Sequence, residues 1–252
     1  MSRGTANCLI LLVAFAPLAS LAHDDLERQL ERLDQAIEAA PREAELYLQR
    51  ASVHHAHQDP AEALTDLERA ERLDPDAAGL WLLRGRVLLE SGRAGEAIPA
   101  LQRYLDLQPG DGLALALRAR ARSQTGDTAG AEADYAAATA SLARPGPELI
   151  MERSQNLQSA GRSQEALAVL DEGIRNLGGA AALARFEAPL QRPGSRAALL
   201  ARRAEVLDLA GEPEAASEDR RQALAALDAL PLSRRQSAAN LQLRQSLESR
   251  LP

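Results

Sequence analysis

The chain has 252 residues, of which 46% are hydrophobic and 26% charged but only 2% aromatic. Every basic residue is arginine and the formal net charge is −7, which argues against sequence-independent binding to DNA or RNA. Alanine fills about one position in five, well above ordinary usage. With few runs of Val, Ile and Thr, this composition reads as helices packed closely through small residues rather than as sheet.

Residues 1–22 have the layout of a secretory signal. Arg3 supplies a positive start, Leu9 to Ala16 an apolar run, and Ser20-Leu21-Ala22 a small-x-small cleavage site before His23. The apolar run is short for a bilayer span and Pro17 interrupts it. Retention as an N-terminal anchor is the alternative to cleavage. Cys8 lacks the preceding Leu of a lipoprotein box, so no lipid anchor is expected. Cleavage near Ala22 removes the only cysteine. The expectation is an exported protein, periplasmic or extracellular, held by packing without disulfides. No later segment approaches a membrane span, so the mature chain is not expected to insert.

Beyond residue 23 the chain repeats itself. Pro41, Pro75 and Pro109 stand 34 residues apart. Between them recur a helical stretch, a turn, a second helical stretch and the proline, which ends the helix by restricting the residue before it. The first unit carries Tyr47, Ala51, Ala63, Leu67, Ala70 and Pro75; the second carries Trp81, Gly85, Leu88, Gly92, Ala97, Leu101 and Pro109. A third begins at Gly112, a fourth at Pro147 after a one-residue slip, and a weaker fifth at Ala197, where Arg220 takes a large apolar position. Gly92, Gly126, Gly161 and Gly211 fall where the first helix of each pair ends and a left-handed residue is wanted. Gln58 replaces glycine in the first unit. There Asp59 and Pro60 predict a capped start to the next helix. Pro99 lies a few residues into a second helix, where its missing N–H is expected to be tolerated.

These offsets resemble the tetratricopeptide repeat, with an aromatic at position 4, small residues at 8, 20 and 27, large ones at 11 and 24, and proline at 32. The resemblance implies an all-α fold: a right-handed superhelical solenoid of antiparallel helix pairs, helix A and helix B. The expected organisation is a signal segment at 1–22, a leading capping helix at 23–43 from a degenerate repeat, and repeats 1–4 over 44–175. An insertion follows at 176–196, then a fifth repeat at 197–230 and a C-terminal capping helix at 231–252. The insertion reads either as a short helix over Ala180 to Leu190 bearing Phe186 or as a loop. A terminal cap suits an array that must cover its last apolar face.

The resemblance also implies a work surface. Helix A positions 2, 5, 9 and 12 line the inner, concave face. Here these include Leu48, Ser52, His55, Leu82, Arg86, Leu89, Ala116, Arg120, Met151, Gln155 and Gln158, with Glu205 and Asp208 at the far end. Leu48, Leu82, Leu89 and Met151 predict an apolar track. Arg86 and Arg120, on successive helices, suggest recognition of a carboxylate or acidic segment. The expected ligand is an extended peptide or a helix of a partner protein.

Arginine also recurs at position 7, as Arg50, Arg84, Arg118, Arg153 and Arg203, with Asp66, Asp134 and Asp219 at position 23. This reads as a structural ladder of Arg–carboxylate contacts, a ligand-binding ladder being the alternative.

No nucleophile elbow, P-loop, dinucleotide fingerprint or HExxH occurs, and no cofactor or enzymatic activity is expected. The rival reading places metal or catalytic chemistry at His54-His55-Ala56-His57, where only His54 and His57 share a helix face, or in the 176–196 insertion. A self-assembling structural protein is a third possibility.

Overall fold

The computed structural model describes residues 18–143, 145–183 and 195–251. Among these it contains thirteen helices and no strand. They are α1 (Leu18–Ala39), α2 (Ala44–Ala56), α3 (Pro60–Leu73), α4 (Ala78–Glu90), α5 (Ala94–Leu107), α6 (Gly112–Gln124) and α7 (Thr128–Ser141). Then follow α8 (Pro147–Ser159), α9 (Ser163–Leu183), α10 (Ser195–Leu209), α11 (Pro213–Asp228), α12 (Leu232–Arg235) and α13 (Ala238–Glu248). The all-α expectation holds, and consecutive helices pack as hairpins, most extensively α2 with α3, α6 with α7, and α10 with α11. The chain divides into two compact units, 1–80 and 81–252.

In the first unit, α2 and α3 approach through Ala51, Ala63 and Ala70, all fully buried. Leu67 fills the space beside them, also fully buried. α1 packs against α2, and the Tyr47 hydroxyl donates to the Pro41 carbonyl at 3.1 Å, pinning the connection between them.

In the second unit the same small residues recur. A side chain on Gly85 would place its Cβ 2.5 Å from Leu101 Cγ, so only glycine lets these two helices meet. Ala119, Ala131 and Ala138 play this part between α6 and α7 with no exposed surface. The fourth and fifth repeats share one core that includes Ile150, Leu157, Leu170, Leu200 and Leu227. Leu247 of α13 enters that core, so the C-terminal helix does cover the last apolar face.

The turn between helix A and helix B is the same in all five hairpins. Gly92, Gly126, Gly161 and Gly211 have φ between 74° and 85°. In each turn that residue bonds back three positions and the next bonds back five, as in Gly92 N–H to Leu89 O and Arg93 N–H to Leu88 O. This is the Schellman closure, which satisfies the last carbonyls of helix A. The first turn makes the same two bonds, Gln58 N–H to His55 O and Asp59 N–H to His54 O, with Gln58 at a φ of 65° and without the freedom of glycine.

Two local expectations are corrected. Asp59 makes no side-chain cap bond to α3. Side-chain caps occur instead at Asp111, Asp127 and Ser237. Pro99 lies past the first turn of α5, where its absent N–H removes an interior helix bond instead of an already unpaired one.

No described helix is long and apolar enough to cross a membrane. The apolar run Leu9 to Ala16 and Cys8 lie outside the described residues, as do Phe186 and Pro193. α9 continues to Leu183, carrying helix B of the fourth repeat into the 176–196 segment.

Candidate binding face

The position-7 arginines fix the helices that carry the face. Arg50 donates Nε and Nη2 to the two oxygens of Asp66, at 2.8 and 2.6 Å. Arg118 holds Asp134 at 2.7 and 2.6 Å, and Arg203 holds Asp219 at the same two distances. Each aspartate is buried. The remaining nitrogen of each guanidinium reaches the preceding helix B: Asp34, Gln102 and Asp171 respectively. All three acceptors occupy position 25 of the preceding repeat. Arg203 reaches Asp171 across 32 residues where Arg118 reaches Gln102 across 16. The additional residues before α10 therefore leave the repeat register intact. Each arginine ties its own helix A to two helices B, which makes the ladder a structural one. Hydrogen bonds donated to Asp66 and Asp219 are the leading reason that the Arg50 and Arg203 guanidiniums are held above their ordinary pKa.

Where position 23 lacks aspartate, the arginine finds another partner. Arg84 lies over the Trp81 ring, 5.2 Å from its centroid. Arg153 donates Nε and Nη2 to Glu132 at 2.9 and 2.7 Å. Arg220, in its apolar position, is 6% exposed and is neutralised by Asp208.

The predicted face divides between the units. In the first unit Leu48 and His55 of α2 are half-buried and Ser52 is exposed. In the second, Leu82 is half-buried and Arg86 exposed on α4, while Leu89, at 5% exposure, belongs to the interior instead of an open track. Met151 on α8 is half-buried and packs against the shared core. Gln155 is exposed.

Arg120 of α6 carries a carboxylate of its own. Its Nη2 and Nε donate to Glu152 of α8 at 2.6 and 3.2 Å. Burial works against its charge, yet the bonds and charge of Glu152 outweigh that and keep its pKa above the ordinary value. Behind this pair the Tyr135 hydroxyl is pushed well above its usual pKa, first by burial and then by the Glu152 charge. Farther along, Gln158 of α8 accepts from Arg202 of α10, which also donates to Glu205 at 2.9 Å. Arg250 approaches the other Glu205 oxygen at 3.6 Å.

The helix-A side of α6, α8 and α10 is therefore a rail of paired polar groups. Glu152 and Arg202, both at position 6, were not among the expected face residues. Leu113 was missed too, although it occupies position 2 of the third repeat, and it is 62% exposed.

The histidine cluster has little to offer a metal. His54 Nε2 lies 3.9 Å from Asp66 Oδ2, but both Asp66 oxygens already accept from Arg50. The His54 Nδ1 atom is buried without a hydrogen-bond partner. Arg122 occupies the equivalent place in the third repeat and donates Nη1 to Asp134 at 2.8 Å. Among the described residues no group of three or more His, Cys, Asp or Glu side chains is placed to hold a metal ion.

Comparison with known proteins agrees with this geometry. A family model described as tetratricopeptide repeat matches residues 19–78, 48–112 and 82–148. No curated protein matches by sequence. The fold is similar to the crystal structure of PilW, described as a widely conserved type IV pilus biogenesis factor. That match has a TM-score of 0.66 and 17% identity and covers 92% of this chain and 94% of that one. It is also similar to YrrB, described as a TPR protein with an unusual peptide-binding site, at TM-score 0.63 and 17% identity over 87% of this chain and 99% of that one. Pseudomonas aeruginosa pilF matches with a TM-score of 0.62 and 16% identity over 92% and 93% of the two chains.

Proposed function

Because the chain belongs to the tetratricopeptide repeat family, we propose that it is a non-enzymatic interaction scaffold that holds a protein or peptide segment on its helix-A face. One observation carries this reading. On α6 and α8 an apolar side chain open to solvent, Leu113, and the exposed Gln155 accompany a rail of polar groups already paired with one another. Side chains fixed in advance by their own bonds lose little freedom when a ligand arrives, which favours binding.

The rail also refines the ligand. Arg120 is answered by Glu152, so only Arg86 remains from the expected pair of open guanidiniums. A segment with an apolar anchor and neutral hydrogen-bonding groups suits this face better than a strongly acidic one. The N-terminal segment supports export, and a role in assembling an envelope structure agrees with the description of PilW as a pilus biogenesis factor. The acidic net charge gives no support for a nucleic-acid partner.

The test is cross-linked capture from the native exported fraction, with the wild type beside an Arg86→Glu, Leu113→Asp double variant. Both substituted side chains are exposed, so helicity and melting temperature stay close to wild type. A partner held by the wild type and lost by the folded variant supports the scaffold and its face. Equal capture by both removes the face assignment.

A further inference from the structure

α1 differs from the helices that follow it. Its described apolar side chains, Leu26, Leu30, Leu33 and Ile37, are all only half-buried. By repeat phase α1 is a helix B, and a complete array places a helix A against such a helix and against the next helix A. α8 does this, packing on both α9 and α10. Among the described residues of the first unit, the corresponding slot is an open groove of about 500 Å³. It is lined from α1 by Leu26, Gln29, Arg32 and Leu33, and from α2 by Ser52 and Val53.

The slot is not shaped for an ordinary helix A. Position 20, which lets the two helices of a hairpin close up, is Ala63, Ala97, Ala131, Ala166 and Ala216 in the five repeats, each without exposed surface. In α1 that position is the exposed Gln29. A long amide there holds an incoming helix farther off and asks it for a hydrogen-bonding group.

We propose that the groove is filled by α1 of a second copy of this chain, running antiparallel about a twofold axis at Gln29. The sequence of the helix is complementary to itself in that direction. At 3.6 residues per turn, Leu26 and Leu33 lie to one side of the Gln29 line and Asp25 and Arg32 to the other, and reversal about Gln29 brings position 26 within one residue's rise of position 33 and position 25 within one of position 32. Reversal therefore sets Leu26 against Leu33 of the second copy, and Asp25 against its Arg32, twice over. The two Gln29 amides, each donor and acceptor, meet on the axis. A parallel pairing would instead set Arg32 beside Arg32 and Asp25 beside Asp25. The present partner of Asp25 is Arg28 at 2.5 Å, an exposed local pair that constrains it weakly. The contact is isologous and closes as a dimer. It shares Ser52 with the predicted face but uses neither α6 nor α8, so it stands or falls apart from the Leu113 and Gln155 part of that face.

The experiment is sedimentation equilibrium of the full chain over a concentration series, with circular dichroism confirming the fold of each variant. The wild type is expected to reach a dimer. Arg32→Asp, at an exposed position, is expected to weaken that dimer by at least about tenfold through like-charge contact. The exchange Asp25→Arg with Arg32→Asp is expected to restore it. In a Cys8→Ser background, Gln29→Cys should form a disulfide-linked dimer under mild oxidation. Glu31→Cys, on the far side of α1, should not. A wild type that stays monomeric overturns the proposal. So does a dimer indifferent to Arg32→Asp, or a groove found occupied by the helix of a different protein.

Discussion

Arg118 grips Asp134 through two nearly parallel hydrogen bonds, Nε to Oδ2 at 2.7 Å and Nη2 to Oδ1 at 2.6 Å. The same pair stands 68 residues earlier, as Arg50 with Asp66, and again as Arg203 with Asp219. The planar guanidinium matches the carboxylate edge to edge, which a lysine would not do. This chain, which has no lysine at all, uses that match to bind each such helix A to helix B.

Asp134 accepts from Arg122 as well as Arg118, and its side chain is 5% exposed. Asp134→Asn would leave two guanidiniums facing a neutral group in the interior. Breaking a buried pair from one side costs about 3–5 kcal/mol, whereas Asp228→Asn, which disturbs an exposed pair with Arg244, should cost under about 1 kcal/mol. Urea denaturation of the two variants measures the contrast. Equal small effects would remove the ladder as a source of stability.

Gln58 adopts the left-handed backbone that glycine adopts in the other four turns. Gln58→Gly should relieve that strain and raise stability by about 1 kcal/mol. Gly126→Ala should lower it by a similar amount. Opposite shifts in melting temperature are the expected reading. A loss of stability in Gln58→Gly would mean that the Gln58 side chain contributes contacts that outweigh its backbone cost.

Gly85 and Gly79 lie on the same helix with opposite surroundings. A Cβ at Gly85 meets Leu101, while a Cβ at Gly79 meets nothing within 4 Å. Gly79→Ala should stabilise by up to about 1 kcal/mol through helix propensity. Gly85→Val should destabilise by about 1–3 kcal/mol through overpacking. Thermal melts of the two proteins check the difference in sign.

Asp111 caps α6 by accepting from the Leu113 and Ala114 amides and from the Tyr104 hydroxyl. Burial alone would raise its pKa, but these bonds outweigh burial and hold it below the ordinary carboxylate value. The depressed folded value means that the cap contributes fully above the unfolded pKa of about 4 and is lost as pH falls through the folded one. Asp111→Ala should therefore cost about 1 kcal/mol near neutrality and progressively less under acid. A stability gap that stays constant through that acid range would contradict the charged cap.

Much of this was legible in the sequence because a repeat imposes one local solution many times. The spacing of Pro41, Pro75 and Pro109 gave the phase, and the phase placed Gly92, Gly126, Gly161 and Gly211 at the turns and Arg50 opposite Asp66. Other features depend on how one helix A meets the next, and a single-repeat pattern does not record that. The Arg120–Glu152 pair links α6 to α8 across 32 residues and removes a guanidinium that looked open. Leu89 sits at a face position yet is covered by its neighbours. The groove beside α1 depends on Gln29 standing where the other repeats have alanine, a substitution that the repeat pattern alone did not single out.

Site-specific photocross-linking tests most directly whether the helix-A face holds the partner. A photoreactive side chain would be placed at Leu113 or Gln155 on the helix-A face, and at the exposed Ala137 on helix B as the comparison. Both helix-A positions are expected to give an adduct with the same exported protein, and Ala137 none. An adduct from Ala137 alone, or none from either helix-A position in cells that contain the partner, would contradict the face assignment.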